Sequence, residues 1–443
     1  MRTIDLRGRT LSPAELLAAV PRATEARAAA LHAAAEIVDD VRARGEASLR
    51  EQAERFDRVA GHAVRVPAAH IAEAIDGLDP QVRAALEESI RRVRQASAAQ
   101  VPAPRVTEIG PGARVTQRWQ PVSRVGVYVP GGKAVYPSSV VMNVVPAQVA
   151  GVGSIALASP PQAEFDGRVH PTILAAAGLL GVTEVYAMGG AGAIGALAYG
   201  VASLGLDPVD VVTGPGNNFV AAAKRAVAGV VGTDSEAGAT EILIVADESG
   251  DARLIAYDLV SQAEHDEQAS AVLVTTSAEL AAAVEREVAE VAAATRHRER
   301  VATALAGEQS AIVLVDDAAA AEAFSNAYAP EHLELHLVDA PAAAARYTSA
   351  GALFIGPYAP VSLGDYLSGS NHVLPTGGQA RYAAGLGAAT FLRPQQLIEY
   401  DREALAQVRD GIVALSASEA LPAHGEAVVA RFTAPGGAAG GGA

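Results

Sequence analysis

The chain has 443 residues, 50 % of them hydrophobic, and a formal net charge of −16 at pH 7. This length and composition predict a large core spread over about three domains, and an acidic chain without a basic segment disfavours nucleic acid as a partner. The sequence contains no cysteine, which excludes disulfides, thiolate zinc sites and iron–sulfur clusters. It also excludes a cysteine nucleophile, so any aldehyde oxidation here cannot proceed through a thiohemiacetal.

Hydropathy along the chain predicts a soluble, cytoplasmic protein that has no membrane partner. Residues 1–11 alternate charged and apolar side chains and lack the apolar core of a signal peptide. The uncharged stretch 134–163 is interrupted by asparagine, glutamine, proline and glycine. It therefore predicts a buried passage of strand, turn and helix rather than a membrane span.

Helical patterns dominate the first hundred residues. A short arm over residues 1–24 contains Ser12 to Glu15, which is typical of a helix start with a serine cap. Apolar residues spaced three and four apart predict a helix over 24–56 and another over 80–95. Alternation over 105–121 predicts paired strands.

From residue 122 onward, strand and helix patterns alternate. Buried-strand patterns lie at 125–129, 154–158, 184–188, 209–212, 241–245, 270–274, 311–315 and 351–355. Helical patterns lie between them, with long ones at 251–267 and 277–306. The predicted fold class is α/β, with two Rossmann-like parallel-sheet units in series and a mainly helical C-terminal segment at about 394–416 and from 424.

Three glycine-rich turns each follow a predicted strand. They are Pro130-Gly131-Gly132, Gly190-Ala191-Gly192-Ala193-Ile194-Gly195 and Gly214-Pro215-Gly216-Asn217. The second is a formal GxGxxG, and Asp210 follows it at the spacing of a dinucleotide fingerprint. A chain with 42 glycines also produces such matches by chance, and each turn can be a plain tight turn. Together the turns indicate a ligand crevice at the carboxyl ends of the strands.

Side chains that can bind a metal or a substrate occur in three further segments. They are Gln262 and His265 in a predicted helix, Asp365 and His372 in the polar loop 362–376, and Glu419 and His424 at a predicted helix start. Gln262 and His265 lie one helical turn apart, so an oxygen and an imidazole share a face. The alternative for such a pair is a solvated helix face. A loop as long as 362–376 indicates function rather than a simple connection.

Glu331 and His332 stand side by side after a proline, where a predicted helix gives way to a predicted strand. A carboxylate and an imidazole can move protons near neutral pH when burial tunes them. By itself such a pair is more often a loop charge beside a structural histidine. The remote ligand positions favour the catalytic interpretation, whereas His336, inside the strand, is interpreted as structural.

Together these motifs resemble the histidinol dehydrogenase family. The matching segments are Tyr128-Val129-Pro130-Gly131-Gly132, Gly214-Pro215-Gly216-Asn217, Ser261-Gln262-Ala263-Glu264-His265, Ala329-Pro330-Glu331-His332-Leu333-Glu334, Gly364-Asp365-Tyr366 with Asn371-His372-Val373-Leu374-Pro375-Thr376, and Glu419 to His424. They follow the family's order through nearly the whole chain. The resemblance implies oxidation of L-histidinol to L-histidinaldehyde and then to L-histidine with two NAD⁺.

The resemblance also implies roles for individual residues. The ligands to one zinc ion (Zn²⁺) per subunit would be Gln262, His265, Asp365 and His424. His332 would remove the alcohol proton, and Glu331 would activate the water that adds to the aldehyde. Substrate contacts would come from Thr240, Gln262, His265, His332, Asp365, His372, Glu419 and His424. Nucleotide (NAD) contacts would come from Tyr128, Asn217 and position 192.

The family's dimers are intertwined, which implies a homodimer with shared active sites in which Glu419 and His424 serve the partner subunit. On this basis residues 25–127 and 241–381 are assigned to a first α/β domain with the metal and catalytic residues. Residues 128–240 are assigned to a second α/β domain with the nucleotide contacts. The helical segment 382–434 would reach the partner, and the tail 435–443 is expected to be disordered.

Two positions depart from the family pattern. The family's nucleotide-contacting glutamine falls at Gly192, so that contact must be lost or replaced, and the family's Gly-Pro-Ser-Glu becomes Gly238-Ala239-Thr240-Glu241. Threonine retains a hydroxyl. Two other functions stay open at this point. They are a zinc hydrolase acting through a metal-bound water and a non-catalytic metal-binding relative in which Gly192 marks decay of the nucleotide site.

Overall fold

A computed structural model describes residues 1–22, 25–131, 135–235 and 238–433. The chain divides into two compact units, a larger one of Met1–Val101 with Pro121–Phe391 and a smaller one of Pro102–Gln120 with Leu392–Ala443. The tail predicted to be disordered, 435–443, lies outside the described residues, as does Gly132 of the first glycine turn.

The secondary structure alternates as the sequence predicts. The strands are β1 (Arg2–Asp5), β2 (Arg105–Gly110), β3 (Ala113–Pro121), β4 (Arg124–Tyr128), β5 (Ser154–Ser159), β6 (Val185–Ala187), β7 (Val211–Thr213), β8 (Gly232–Thr233), β9 (Glu241–Ala246), β10 (Ser270–Thr275), β11 (Ala311–Leu314), β12 (His332–His336), β13 (Ala352–Ile355) and β14 (Leu392–Tyr400). The helices are α1 (Pro13–Ala19), α2 (Glu25–Arg44), α3 (Glu46–Gln52), α4 (Ala68–Asp76), α5 (Pro80–Gln100), α6 (Pro137–Ala150), α7 (Pro171–Leu179), α8 (Gly190–Tyr199), α9 (Asn218–Val227), α10 (Ala252–Ala263), α11 (Ala278–Ala294), α12 (Arg298–Ala306), α13 (Ala318–Tyr328), α14 (Ala340–Ala343), α15 (Val361–Tyr366), α16 (Arg402–Ser418) and α17 (Pro422–Val429).

A six-stranded parallel sheet in the order β1-β11-β10-β9-β12-β13 forms one half of the larger unit. Alternate residues of β9 enter two different apolar clusters. Ile242 and Ile244 pack with α10 and α11, whereas Leu243 and Val245 pack with α13. Helices therefore cover both faces, which is why these strands have continuous apolar sequences. The first strand, β1, comes from the segment predicted to be an arm.

A five-stranded parallel sheet in the order β6-β5-β4-β7-β8 forms the other half of the larger unit. Helices α2, α8 and α9 pack on one of its faces. The three predicted glycine turns follow β4, β6 and β7, so they lie at the same, carboxyl end of this sheet. The predicted α/β class with parallel sheets is thus confirmed. Among the described helices, none is long and apolar enough to cross a membrane.

The smaller unit contains the three-stranded sheet β14-β3-β2 and the helices α16 and α17. The paired strands predicted over 105–121 are β2 and β3, which pair antiparallel. The helix predicted from about 394 is wrong for its first residues, because Leu392–Tyr400 is a strand. Tertiary pairing overrides the weak helical preference of this segment. The helix begins at Arg402, where Asp401 caps it by accepting from the Ala404 N–H.

Candidate active site

Glu331 and His332 lie at the junction between α13 and β12. The helix ends at Tyr328, and Ala329 takes a left-handed conformation with φ of 50° before Pro330 turns the chain into the strand. His332 is the first residue of β12 and pairs in register with Ile242 of β9. The candidate catalytic pair therefore lies at the amino ends of parallel strands, opposite to the end where α/β sheets usually bind ligands.

The carboxylate of Glu331 is buried and held on one oxygen. Its Oε2 accepts from the Thr240 hydroxyl at 2.6 Å and from the Glu241 N–H at 2.9 Å. Among the described residues no hydrogen-bond donor reaches Oε1. Burial raises the pKa of Glu331, and the attraction of His332 and the bond from Thr240 oppose that rise only in part. A carboxylate with a raised pKa and a free oxygen is suited to accept a proton.

The imidazole of His332 is buried and oriented by the main chain. Its Nδ1 lies 2.9 Å from the Glu241 carbonyl oxygen and 3.5 Å from Glu331 Oε2. A carbonyl oxygen can only accept, so Nδ1 carries the proton and Nε2 of the neutral ring carries the lone pair. Glu241 thus binds both members of the pair, Glu331 through its N–H and His332 through its carbonyl.

Gln262 extends this network toward the predicted metal ligands. Its Nε2 donates to the Thr240 hydroxyl oxygen at 2.5 Å, while the side chain is buried. That bond uses the amide nitrogen and leaves the amide oxygen, which is the atom that can bind a metal. His265 follows just after α10, and burial lowers its pKa, with the nearby charge of Asp365 opposing. A neutral imidazole is the form that binds metal.

His372 is held on both ring nitrogens. Nδ1 donates to the Asp365 carbonyl at 3.0 Å, and Nε2 lies 3.1 Å from the hydroxyl of Ser139 in α6. Burial lowers its pKa. Asn371 ties the same loop to α6 by donating to the Met142 carbonyl. These contacts fix the position of Asp365, and Ser139 is a residue that sequence analysis did not identify.

Tyr128 and the first turn of α8 meet at the carboxyl end of the five-stranded sheet. The Tyr128 hydroxyl accepts from the Gly190 N–H at 3.1 Å, and burial raises its pKa to about 12. Gly192 lies in the buried part of α8, where an added Cβ would stand 2.0 Å from Gln52 Oε1. The space for a side chain at position 192 is therefore filled by the amide of Gln52, at the end of α3.

The turn Gly214 to Asn217 is rigidly built. Gly214 has φ of 120°, and an added Cβ would lie 1.9 Å from the Tyr128 carbonyl oxygen, so only glycine fits. The buried ion pair of Lys224 and Asp234 fixes the main chain of this turn. Lys224 Nζ donates to the Gly214 carbonyl at 2.5 Å, and Asp234 Oδ2 accepts from the Gly214 N–H at 2.8 Å. Asn217 caps α9 through its Oδ1, which leaves its amide nitrogen exposed.

The formal dinucleotide fingerprint is not formed. Asp210 precedes β7, and its carboxylate accepts from the N–H groups of Ser123 and Arg124, at the amino end of the sheet. Gly190 lies at the opposite, carboxyl end, so the acid and the glycine turn cannot share one ligand. Gly195 serves helix packing, since a Cβ there would lie 3.2 Å from the Val38 Cα in α2.

Comparison with known proteins identifies the family. Residues 20–432 match the family described as Histidinol dehydrogenase. The chain belongs to the histidinol dehydrogenase family. It is 65 % identical over 432 residues to a histidinol dehydrogenase of Leifsonia xyli subsp. xyli, covering 98 % of this chain and 99 % of the relative. It is 57 % identical to one of Nocardia farcinica, covering 97 % and 98 % of the two chains.

A crystal structure of histidinol dehydrogenase from Elizabethkingia anophelis has the same fold. It superposes with a TM-score of 0.91 at 30 % identity and covers 98 % of both chains. These matches confirm the resemblance drawn from the motifs and the prediction that the chain is an oxidoreductase of the histidinol dehydrogenase family. They do not favour the hydrolase or the non-catalytic alternative.

The structure of this histidinol dehydrogenase family member brings most predicted site residues together in the larger unit. They are Thr240, Gln262, His265, Glu331, His332, Asp365 and His372. Glu419 and His424 belong to the smaller unit, where Glu419 ends α16 and His424 lies in the first turn of α17. Both are exposed on this chain.

A second polar cluster lies on the same face of β12 as His332. Asp258, Glu334 and His336 offer ligand atoms that all lie within 4.8 Å of one another. Glu334 accepts from the Val361 N–H at 2.8 Å and lies 3.3 Å from His336 Nε2. Burial and the neighbouring Glu334 raise the pKa of Asp258 to about 8. A protonated Asp258 can donate to Glu334, so hydrogen bonding accounts for the cluster. Sequence analysis missed Asp258 and Glu334, although alternation along β12 indicates a shared face.

Proposed function

We propose that this chain is an NAD⁺-dependent, zinc-containing histidinol dehydrogenase that oxidises L-histidinol through L-histidinaldehyde to L-histidine, the last step of histidine biosynthesis. One observation carries the proposal. Glu331 and His332 are both held by Glu241, with a lone pair on His332 Nε2 and a Glu331 Oε1 that no donor reaches among the residues the structure describes. Two separate proton acceptors are what two successive oxidations need, one for an alcohol proton and one for water.

In the first oxidation His332 Nε2 accepts the hydroxyl proton of the alcohol as hydride leaves the carbinol carbon. The Glu241 carbonyl stabilises the resulting imidazolium, because it already accepts from Nδ1. NAD⁺, when bound, is the hydride acceptor in both oxidations. The products of this step are the aldehyde, NADH and one proton, so atoms and electrons balance.

In the second oxidation Glu331 accepts a proton from a water molecule that adds to the aldehyde carbon. The product is the hydrate anion, because Glu331 holds the proton taken from water. It loses a hydride to NAD⁺ and becomes the carboxylic acid, which yields a second NADH. The raised pKa of Glu331 makes it a stronger base than an exposed carboxylate, and Thr240 keeps it in place. The chain has no cysteine, so a carboxylate takes over the task that a thiol would otherwise perform.

The donor set fits a zinc ion that positions the substrate. Gln262 offers its amide oxygen, because the amide nitrogen is engaged by Thr240. His265 is neutral through burial, and Asp365 is held by His372. With His424 of the partner subunit these residues would form an oxygen and nitrogen site, which suits zinc in a chain without cysteine. Zinc, when bound, would act as a Lewis acid that fixes substrate in the orientation needed for hydride loss.

Tyr128 and Asn217 are proposed as nucleotide contacts, with Gln52 acting at the place that a side chain at Gly192 would occupy. The three positions border the carboxyl end of the five-stranded sheet. Gln52 is favoured because its amide already fills the space over Gly192. An amide from α3 would then supply the group that this chain lacks at position 192.

The assay that tests this function uses the full-length protein loaded with zinc. We expect two NADH formed per L-histidinol consumed and L-histidine as the final product. Binding of NAD⁺ without histidinol separates this function from a zinc hydrolase, which has no need of a nucleotide. Protein that binds zinc but forms no NADH from histidinol would refute the proposal.

We further propose that the chain forms a homodimer in which Glu419 and His424 complete the site of the partner subunit. Inactive His332→Ala and His424→Ala chains are then expected to regain activity when they are mixed and exchange subunits. Random exchange would place one intact site in each mixed dimer. Mixed dimers that stay inactive would show that each chain uses its own His424.

A further inference from the structure

Glu241 holds both proton acceptors of the proposed reaction through its own main chain. Its N–H donates to Glu331 Oε2 at 2.9 Å, and its carbonyl accepts from His332 Nδ1 at 2.9 Å. Glu241 is the first residue of β9, next in register to the start of β12. A displacement of this one residue would therefore move Glu331 and His332 together.

The Glu241 side chain is in turn fixed by Arg22, which lies beyond the end of α1. The guanidinium donates two hydrogen bonds to the carboxylate, from Nε to Oε1 at 2.6 Å and from Nη2 to Oε2 at 3.1 Å. The two side chains are only 16 % and 3 % exposed. Gly377 adds an N–H to Oε1 at 3.1 Å. Such a charge-assisted fork fixes geometry more firmly than a single hydrogen bond does.

Arg22 also reaches the segment that leads into the catalytic pair. Its Nη2 donates to the Tyr328 carbonyl at 2.5 Å, and its guanidinium carbon lies 3.9 Å from the Tyr328 ring centre. Tyr328 is the last residue of α13, three residues before Glu331. The Arg22 guanidinium therefore binds both Glu241, which hydrogen-bonds to Glu331 and His332, and Tyr328, at the end of the helix that precedes them.

We propose that Arg22 and Glu241 are positioning residues that set the geometry of Glu331 and His332 for proton transfer. The inference rests on the proposed function for the catalytic roles of Glu331 and His332. Arg22 touches neither of them and acts only through Glu241 and Tyr328. The N-terminal segment is therefore part of the catalytic apparatus.

Arg22→Lys tests this role without leaving Glu241 as an uncompensated buried charge. Lysine keeps the positive charge, but it cannot donate both hydrogen bonds to the Glu241 carboxylate and also bond to the Tyr328 carbonyl. We expect aldehyde oxidation to slow by about 10- to 100-fold, as for a displaced catalytic group, with an unchanged KM for histidinol. The hydrogen bond from the Glu241 N–H lowers the pKa of Glu331, so a weaker bond in the variant should raise that pKa. The acid limb of the pH–rate profile should therefore move to higher pH.

The matched control is Arg346→Lys. Arg346 pairs with Glu322 of α13 at 3.1 Å and makes no contact with Glu241. Its replacement should leave both oxidation rates and the pH limb as in the wild type. A purely structural role for Arg22 would slow both steps by one factor at every pH, and that result would overturn the proposal.

A second readout needs no catalysis. In protein labelled with ¹⁵N-histidine, the His332 signal, assigned by its loss in His332→Gln, should report a protonated Nδ1 and an unprotonated Nε2. In Arg22→Lys we expect the two tautomers to exchange. A wild type inactive on histidinol would refute the proposed function, while this spectrum still decides the positioning role. An unchanged tautomer together with an unchanged pH limb would refute the role of Arg22.

Discussion

Glu331→Gln is expected to slow aldehyde oxidation by about 10² to 10⁴, the usual effect of losing one general base, while alcohol oxidation stays within about tenfold of the wild type. Glutamine has the same shape and can still accept from Thr240 and from the Glu241 N–H, so the site geometry is retained. What it lacks is the second carboxylate oxygen that takes a proton from water. The measurement is the ratio of single-turnover rates with histidinaldehyde and with histidinol.

Glu334→Gln is the matched control for that variant. Glu334, which lies inside β12, is also a buried glutamate, but it bonds to Val361 and His336 instead of to Thr240. Its replacement should leave the ratio of the two rates unchanged even if stability falls. Equal losses of both steps in Glu331→Gln would contradict the water-activating role, because His332 alone serves the alcohol step.

The pH dependence of aldehyde oxidation follows from the raised pKa of Glu331. The base form is the ionised carboxylate, which predominates above its pKa and is lost as the pH falls through it. We therefore expect the rate to fall on the acid side at a pH above the ordinary value of 4.5 for this group. Glu331→Gln should lack this limb.

Much of this architecture can be predicted from local sequence. Alternating strand and helix patterns give the parallel sheets, and the capping pattern at Ser12 gives the start of α1 as observed. The strand β14 could not be predicted, because pairing within the smaller unit decides its conformation and its own sequence does not. The predicted long helix over 277–306 is two helices, since Thr295 is extended and separates α11 from α12.

The candidate site likewise contains some contacts that are local in sequence and some between remote segments. Glu331 and His332 are adjacent in sequence, so their proximity is a local property. Gln262 and His265 are three residues apart, and their proximity is also local, although the helix predicted over 251–267 ends at Ala263 and His265 lies in the turn that follows it. Arg22 and Glu241 are 219 residues apart and meet because α1, which precedes Arg22, packs on α13, and α13 packs on β9. Gln52 lies over Gly192 for the same kind of reason. Contacts between remote segments depend on tertiary packing, about which spacing along the chain carries no information.

His265→Asn is expected to reduce zinc affinity by more than about 10²-fold, because even loss of an outer-shell partner typically costs 10- to 100-fold. Zinc content after dialysis and the binding of histidinol should fall together, since the metal is proposed to position the substrate. Binding of NAD⁺ should stay at the wild-type level, because the proposed nucleotide contacts Tyr128 and Asn217 lie at the carboxyl end of the other sheet.

The informative comparison for that result is His336→Asn. His336 belongs to the cluster with Asp258 and Glu334, which also offers three ligand atoms in close reach. If zinc binds at Gln262, His265 and Asp365, His336→Asn retains the metal and histidinol binding, although its stability falls because a buried hydrogen bond to Glu334 is lost. If His336→Asn loses the metal and His265→Asn keeps it, the zinc site is the second cluster. The metal would then not be bound by Gln262, which contacts Thr240 in the catalytic network, and its proposed role in positioning the substrate would be wrong.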